Sequence, residues 1–449
     1  MGTRRTSETF AGGGISLSAA TLEQLRDTLR ADRYAAASSD AFGRMRVGES
    51  VIEADIKFTD DLQPLYFNAV TVGTGAIAHE DGPPKTTRAN LSVTSASDAA
   101  TLRSRSPYQY RAGQSQLVAM TGSFGAAEAG ITYRMGYFDG SDGLYLQQSG
   151  AAGTPTFVVR DSFTSTEVEA VQSSWNLDTL DGTGGTGNPS GYELDVTKSV
   201  IFCIDMQYLG VGRVRFGFYS DEGELIWCHF RDLVGVSNAP YMRTANLPIT
   251  WQVEASAAYG GAGKTMYAHC VSAIREGAHE EPGLSLAVDT GGAALISTPT
   301  ALTTALSVRI KDGYDTTAVL RPLGARLYNE GSNALYWQLV RMNNDDAPAG
   351  VTGGAWTSRA TGAASEYSTV AAAVTPTARD VVYASGFVAP AGRAVLSGVG
   401  GTGAASVGAV IPTGLDSGGD ADILMLLVRE VGSGGSDTYA ASLLYEEFS

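Results

Sequence analysis

At 449 residues the chain exceeds what one hydrophobic core usually organises, so two or three domains are expected. Fifty-five glycines with only 17% charged residues argue against a helical enzyme and for many short strands joined by small-residue turns. A formal charge of −16 argues against a nucleic-acid partner, because phosphate binding needs a concentrated Lys and Arg surface.

Residues 1 to about 16 are rich in Gly, Ser and Thr and read as a flexible arm, since they offer little apolar surface to offset ordering entropy. From Ser18, a candidate N-cap, Leu22, Leu25 and Leu29 recur at spacings of three and four and predict one amphipathic helix of about four turns. A short helix with so narrow a stripe is marginal alone. It either docks on its own β-domain or pairs with the same helix of a neighbouring subunit. Residues 1–45 are therefore assigned to attachment and oligomerisation, through Leu22, Leu25 and Leu29, with Phe42 and Val47 anchoring the junction to the first β-domain.

The next stretch, Asp40-Ala41-Phe42-Gly43-Arg44-Met45-Arg46-Val47, resembles the Asp-Ala-Phe-Gly-Arg-Leu-Arg-Val segment near the N-terminus of a widespread group of tailed-bacteriophage virion structural proteins. Met45 replaces the more usual Leu. Further segments similar to that group come in the same order. They are Tyr108 to Gln116, Met120-Thr121-Gly122, Arg134-Met135-Gly136-Tyr137-Phe138-Asp139, Trp175-Asn176-Leu177-Asp178 and Leu180-Asp181-Gly182, then Leu209 to Arg215 and Asn246-Leu247-Pro248-Ile249. The resemblance covers about residues 40 to 280. It implies a structural role in a virion, as a head decoration, fibre or neck component or as a tail fibre or baseplate component, made in the cytoplasm of the host bacterium. Other virion proteins, and further copies of the chain in a symmetric multimer, expected to be a trimer, would be its partners.

Read physically, the same region is a series of strands at Leu117–Thr121, Ile131–Phe138, Leu144–Gln147, Thr156–Arg160 and Val168–Val171, with Asp139 to Gly143 as a hairpin turn. Thr179 to Ser190, with four glycines, is expected to be a long surface loop. A three-strand antiparallel meander then runs from about Phe202 to Phe230. Phe202, Ile204, Met206 and Tyr208 alternate with Cys203, Asp205 and Gln207, which marks a half-buried strand at the heart of a β-sandwich. Thr250–Glu254 and Thr265–Ile274 close a main sandwich spanning 46–276. Arg275 to Gly283 reads as a linker. A second sandwich, 284–449, carries strands at Leu306–Ile310, Leu335–Val340, Val381–Ala384, Ile423–Arg429 and Tyr439–Tyr445. The fold class is thus all-β, two jelly-roll-like β-sandwich domains behind an arm and a helix.

Chemistry-bearing patterns are sparse. Ala258 to Thr265 satisfies a relaxed P-loop pattern, but the residues after Lys264 alternate as a strand where a P-loop needs a helix, so a glycine-rich hairpin is expected. His79, His229, His269 and His279 lack metal-ligand spacing, although sheet pairing could bring His229 and His269 together. Asp139, Asp142, Asp178, Asp181, Asp345 and Asp346 read as turn acids without calcium-loop spacing. Cys203, Cys228 and Cys270 have no CxxC spacing and read as buried thiols, with one Cys203–Cys228 bridge left open. Tyr137, Trp175 and Trp356 are candidates either for sugar stacking or for core. There is no serine-nucleophile elbow and no apolar run of membrane-spanning length, so a soluble chain without cofactor, metal or catalytic residue is expected. The alternative to a non-enzymatic virion component is a lectin-like module that contacts host surface glycans. A glycan-cleaving enzyme, needing only two carboxylates brought together by the fold, is a third reading.

Overall fold

The computed structural model describes residues 7–9, 16–18, 50–80, 87–161, 166–277, 283–291, 295–296, 301–312, 314, 318–397, 414, 420–432 and 437–448. In chain order, the strands up to residue 276 are β1 (Ser7–Thr9), β2 (Ser16–Ser18), β3 (Ser50–Lys57), β4 (Phe67–Val72), β5 (Ala76–Glu80), β6 (Arg88–Val93), β7 (Ala99–Ser104), β8 (Gln116–Ser123) and β9 (Ile131–Phe138). They continue with β10 (Gly143–Ser149), β11 (Thr156–Asp161), β12 (Thr166–Val171), β13 (Val200–Met206), β14 (Val214–Tyr219), β15 (Leu225–Arg231), β16 (Ile249–Ala255) and β17 (Lys264–Glu276). The two short strands β1 and β2 pair antiparallel, Ser7 opposite Ser18, where the sequence predicts a featureless arm and a helix N-cap at Ser18. The predicted helix contacts Leu22, Leu25 and Leu29, and the junction residues Phe42 and Val47, lie outside the described residues.

Two antiparallel sheets enclose one apolar core. The first runs β12-β11-β10-β9-β16-β7-β4, and the second runs β15-β14-β13-β8-β17-β6-β5 with β3 added along the far end of β17. Alternation explains the sandwich: Tyr133, Met135 and Tyr137 of β9 and Trp251 and Val253 of β16 turn inward, and Met120, Phe202, Ile204 and Phe216 meet them from the other sheet. Phe157 is the aromatic centre of this layer. Its ring stacks on Trp175 at 4.2 Å and on Phe216 at 4.8 Å, with Phe202 and Phe218 at 5.8 and 6.0 Å.

The meander β13-β14-β15 forms as the alternation predicts, but it makes up one edge of its sheet; β8 and β17 hold the centre. Nor is β13 half-buried. Beyond the exposed Ile201, Cys203 and Asp205 on its second face, and Gln207 just past its end, are as buried as Phe202 and Ile204 on the first. Asp205 is satisfied there by Ser115 Oγ, which donates at 2.7 Å, and by the Arg215 guanidinium, which lies over the Trp227 ring. A buried carboxylate needs such partners. The Thr179–Ser190 stretch also departs from a simple surface loop. Asp178 accepts from the Leu180 and Ser190 amides, Asn188 is fully buried, and Leu180 adopts a φ of 48°.

All three cysteines are free. A Cys203–Cys228 bridge is ruled out by register: Cys203 faces Gly217 of β14, and Cys228 sits on β15, one strand further. Two strand spacings, about 9–10 Å, exceed what a disulfide spans. Burial pushes both thiols up.

From Leu284 a second antiparallel pair of sheets begins. One contains Leu284–Asp289, Thr438–Phe448, Val319–Asn329 and Arg393–Ser397; the other centres on Leu302–Ile310, Ile423–Val431 and Ala334–Met342. Leu306, Val308, Leu339, Leu424, Leu426 and Tyr445 fill the space between them. The residues from 284 onward meet the first sandwich at a buried charge cluster. Asp422 Oδ2 lies 3.8 Å from Arg105 Nη1 and 3.5 Å from Arg341 Nε, and all three side chains are at most 4% exposed. Both arginines also reach the same strip of the first sandwich: Arg105 Nε donates to Pro64 O at 2.8 Å and Arg341 Nη2 to Leu65 O at 3.5 Å. Burial lowers the affinity of Arg105 for its proton, Asp422 opposes that, and the neighbouring Arg341 adds to it.

Candidate functional site

The face of the first sheet that points away from the core carries a band of polar side chains arranged by register. Gln252 of β16 faces Arg134 of β9, and Arg134 faces Gln147 of β10. On the far side Gln252 faces Thr101 of β7. These residues are joined by hydrogen bonds into a band across the strands. Gln252 Nε2 donates to Thr101 Oγ1 at 3.1 Å, Arg134 donates to Gln252 Oε1 at 3.0 Å and to Gln147 Oε1 at 2.8 Å, and Gln147 Nε2 donates to Glu169 of β12 at 3.5 Å. Arg134 also pairs with Glu254.

In the neighbouring row Thr250 faces Arg103 on one side and Gly136 on the other, and Gly136 in turn faces Tyr145. A Cβ at Gly136 would collide with Leu144 O and with the Tyr145 Cβ, so the two strands approach too closely there for any other residue. A cleft of about 320 Å³ beside this band is lined by Arg103, Arg134, Phe138, Arg160, Thr250 and Gln252, among others. Beside it, Phe138, Tyr145 and Val158 form a small buried apolar cluster, and Arg160 lies over the Tyr145 ring at 5.1 Å. Arg160 also pairs with Glu167 at 2.7 Å. Burial works against charge on both partners. The pairing prevails, holding the Glu167 carboxyl below its ordinary range and the Arg160 guanidinium above its own.

The candidates drawn from the sequence are not at this cleft, with one exception. Lys264 opens β17 and pairs with Glu128 at 2.6 Å. Its glycine-rich stretch joins β16 in one sheet to β17 in the other, so it is an inter-sheet connection and not the hairpin expected. His229 and His269 are separated by β14, β13 and β8; the first accepts from the Asn176 amide, and the second bonds Ser199 Oγ at 2.9 Å. Burial lowers the proton affinity of both. His279 lies outside the described residues. Tyr137 and Trp175 are core, not sugar platforms, and Trp356 is half-buried with Arg309 over its ring at 4.4 Å. The acids make turns and pairs: Asp139 accepts from the Ser141 and Asp142 amides, Asp181 from Thr183, and Asp345 and Asp346 face Arg379. The exception is Asp139, whose turn borders the cleft. Among the described residues no His, Cys, Asp and Glu side chains cluster as metal ligands, and no helix is long and apolar enough to cross a membrane.

No family model and no curated protein matches the chain. Solved structures similar to it include a protein of unknown function from Shewanella oneidensis, 12% identical over 61% of this chain and 100% of that one, with a TM-score of 0.34. A prokaryotic β-1,3-1,4-glucanase (lichenase) from a mouse hindgut metagenome is 14% identical over 49% of this chain and 97% of its own, with a TM-score of 0.32. A legume lectin-like domain from Entamoeba histolytica is 6% identical over 49% and 95%, with a TM-score of 0.31. At such scores none of these likenesses bears on what this chain binds or does.

Proposed function

We propose that this chain is a non-enzymatic structural component of a tailed-bacteriophage virion, assembled as a homo-oligomer and held to the particle through its first 45 residues. The support is where the residues that carry the resemblance sit. Tyr137 is a joint: its hydroxyl lies within hydrogen-bond distance of Tyr108 O and Ala245 O, which share its one proton, and accepts from the Leu247 amide, tying three resembling segments together. Asn246 accepts from the Tyr110 amide, Tyr110 packs edge-on against Tyr208, and Trp175 belongs to the Phe157 stack. Residues that recur in order along a group and serve as framework describe a shared scaffold more readily than a shared reaction centre.

One segment of the series does more than brace the fold. Arg134, Phe138 and Asp139 line the cleft. That observation supports a second reading, in which the first sandwich also contacts a host surface glycan.

The attachment role of residues 1–45 is argued from the sequence: near Asp40 a Gly-, Ser- and Thr-rich arm with a narrow Leu22, Leu25 and Leu29 stripe gives way to long alternating strands, and a segment with so little apolar surface can fold on a partner and wrap a large surface. Deleting residues 1–38 is expected to leave a folded β-protein with unchanged near-ultraviolet dichroism that elutes as a monomer and no longer enters particles. Full-length chain is expected to elute as a trimer. Normal particle occupancy of the truncated chain would assign attachment to the sandwiches instead.

A further inference from the structure

We infer that the strand Arg393–Ser397 of the second sandwich is an open edge that takes up one further strand, an extended segment of a protein partner in which acidic and apolar residues alternate. It lies at the end of its sheet: Val319–Asn329 pairs with one side, and among the described residues no strand pairs with the other. Such an edge presents a row of backbone donors and acceptors at peptide spacing, which another polypeptide matches and a sugar or a lipid does not. The ladder on its paired side runs without a register shift, from Gly324 opposite Ser397 to Tyr328 opposite Arg393. Val381–Val388, at the end of the facing sheet, is by contrast interrupted by a register shift opposite Leu339 and Val340.

The side chains beside the edge decide which peptide fits. Ala325 and Leu327 turn into the core, so Arg326 and Tyr328 face outward, as do Arg393 and Val395 across from them. Tyr328 stands opposite Arg393 and Arg326 opposite Val395, which puts two guanidiniums on one diagonal of a four-residue block and two apolar groups on the other. All four are exposed, Tyr328 by 50% and Val395 by 57%. Among the described residues no carboxylate pairs with either guanidinium, whereas Arg321, earlier on the same strand, pairs with Glu446 at 3.6 Å. One charge on the edge strand would suffice to deter unwanted pairing. Arg326 sits one strand in, where it guards no edge, and the exposed Tyr328 and Val395 work against that purpose. Two unneutralised guanidiniums on a chain of formal charge −16 are complementary to acidic residues. An added strand would set its own side chains beside Arg393 and Val395, about 7 Å apart, so an acidic residue and an apolar one two positions away complete both rows. Residues 398–413, which follow the edge in the chain, contain no acidic residue and do not supply that pattern.

The test uses the full-length chain and fluorescein-labelled octapeptides read by anisotropy: alternating Glu and Val, alternating Lys and Val, and the Glu–Val peptide with its two inner valines replaced by proline, which removes ladder donors and keeps the charge. The Glu–Val peptide is expected to bind at least about tenfold more tightly than either control, its margin over the lysine peptide shrinking as salt rises. Arg326→Gln and Arg393→Gln should each weaken it by about threefold at an unchanged melting temperature, since both side chains are exposed. Equal binding of the lysine peptide would overturn the acidic assignment, and equal binding of the proline peptide would overturn strand addition. Binding of no peptide, or acidic-peptide binding that ignores both variants, would overturn the site itself. Conversion of a multimer to a smaller species by the Glu–Val peptide would make a second copy of the chain the occupant and overturn the assignment to a different partner.

Discussion

Replacing Asp422 by alanine is expected to destabilise the protein by about 3–5 kcal/mol, the usual result of removing one partner from a buried ion pair. The carboxylate lies between two guanidiniums that water scarcely reaches: Arg341 is 1% exposed and Arg105 4% by side chain. Without Asp422 these two like charges are left facing each other in the interior, and their remaining bonds to Pro64 O and Leu65 O do not neutralise them. Because Arg105 belongs to the first sandwich and Arg341 and Asp422 to the residues beyond 284, the loss acts on the contact between them. Calorimetry should show the melting temperature falling by roughly 6 °C or more, with the unfolding transition broadened or split. A variant that melts as the wild type does would mean that this cluster does not join the two sandwiches.

Phe157→Ala should cost a similar amount, about 3–5 kcal/mol, through a different mechanism, the cavity left by a fully buried aromatic ring. Phe157 enters from the first sheet and touches rings contributed by β13 and β14 of the second, so its removal strips both layers of contact at once. Trp175 would lose the partner stacked on it at 4.2 Å. Phe157→Leu, which keeps most of the volume, should cost less than about 1.5 kcal/mol. Urea titration separates the two outcomes. An alanine variant no weaker than the leucine variant would show that neighbouring rings collapse into the space.

Strands with bulky alternation were legible in the sequence. Ile131–Phe138 is predicted and found with the same bounds, and Thr156–Arg160 falls one residue short at its end. β4 to β7 escaped the same reading because Ala, Asn, Thr and Ser fill them, so their inward residues, such as Ala89, Leu91, Ala100 and Leu102, scarcely stand out from their neighbours. The strand Val319–Asn329 was hidden by Pro322 and Gly324, which argue against a strand interior; the structure accommodates them with a register shift between those two residues. The meander's second face misled for another reason. Asp205 and Gln207 look like solvent positions, and only the tertiary placement of Ser115 and Arg215 makes the burial of Asp205 tolerable.

The cleft was less legible still. Its lining comes from β4, β7, β9, β11 and β16 and the turn after β9, spread from Val70 to Glu254, and no local spacing marks residues that meet only through strand register. Arg134, Phe138 and Asp139 did stand within a segment of the resemblance, but nothing in that segment says that they meet residues of other strands at a cleft. The Asp422 cluster likewise joins residues more than 300 positions apart, Arg105 and Asp422, with no pattern to announce it.

Incorporation of this chain into a virion is tested most directly by imaging the particle. Under the proposed virion role, a cryo-electron reconstruction of phage particles assembled in cells that express this chain is expected to show density for both sandwiches at a symmetric site on the head, neck or tail, with the N-terminal residues reaching into the particle. Complete particles whose density and protein composition contain no copy of the chain would contradict a virion role.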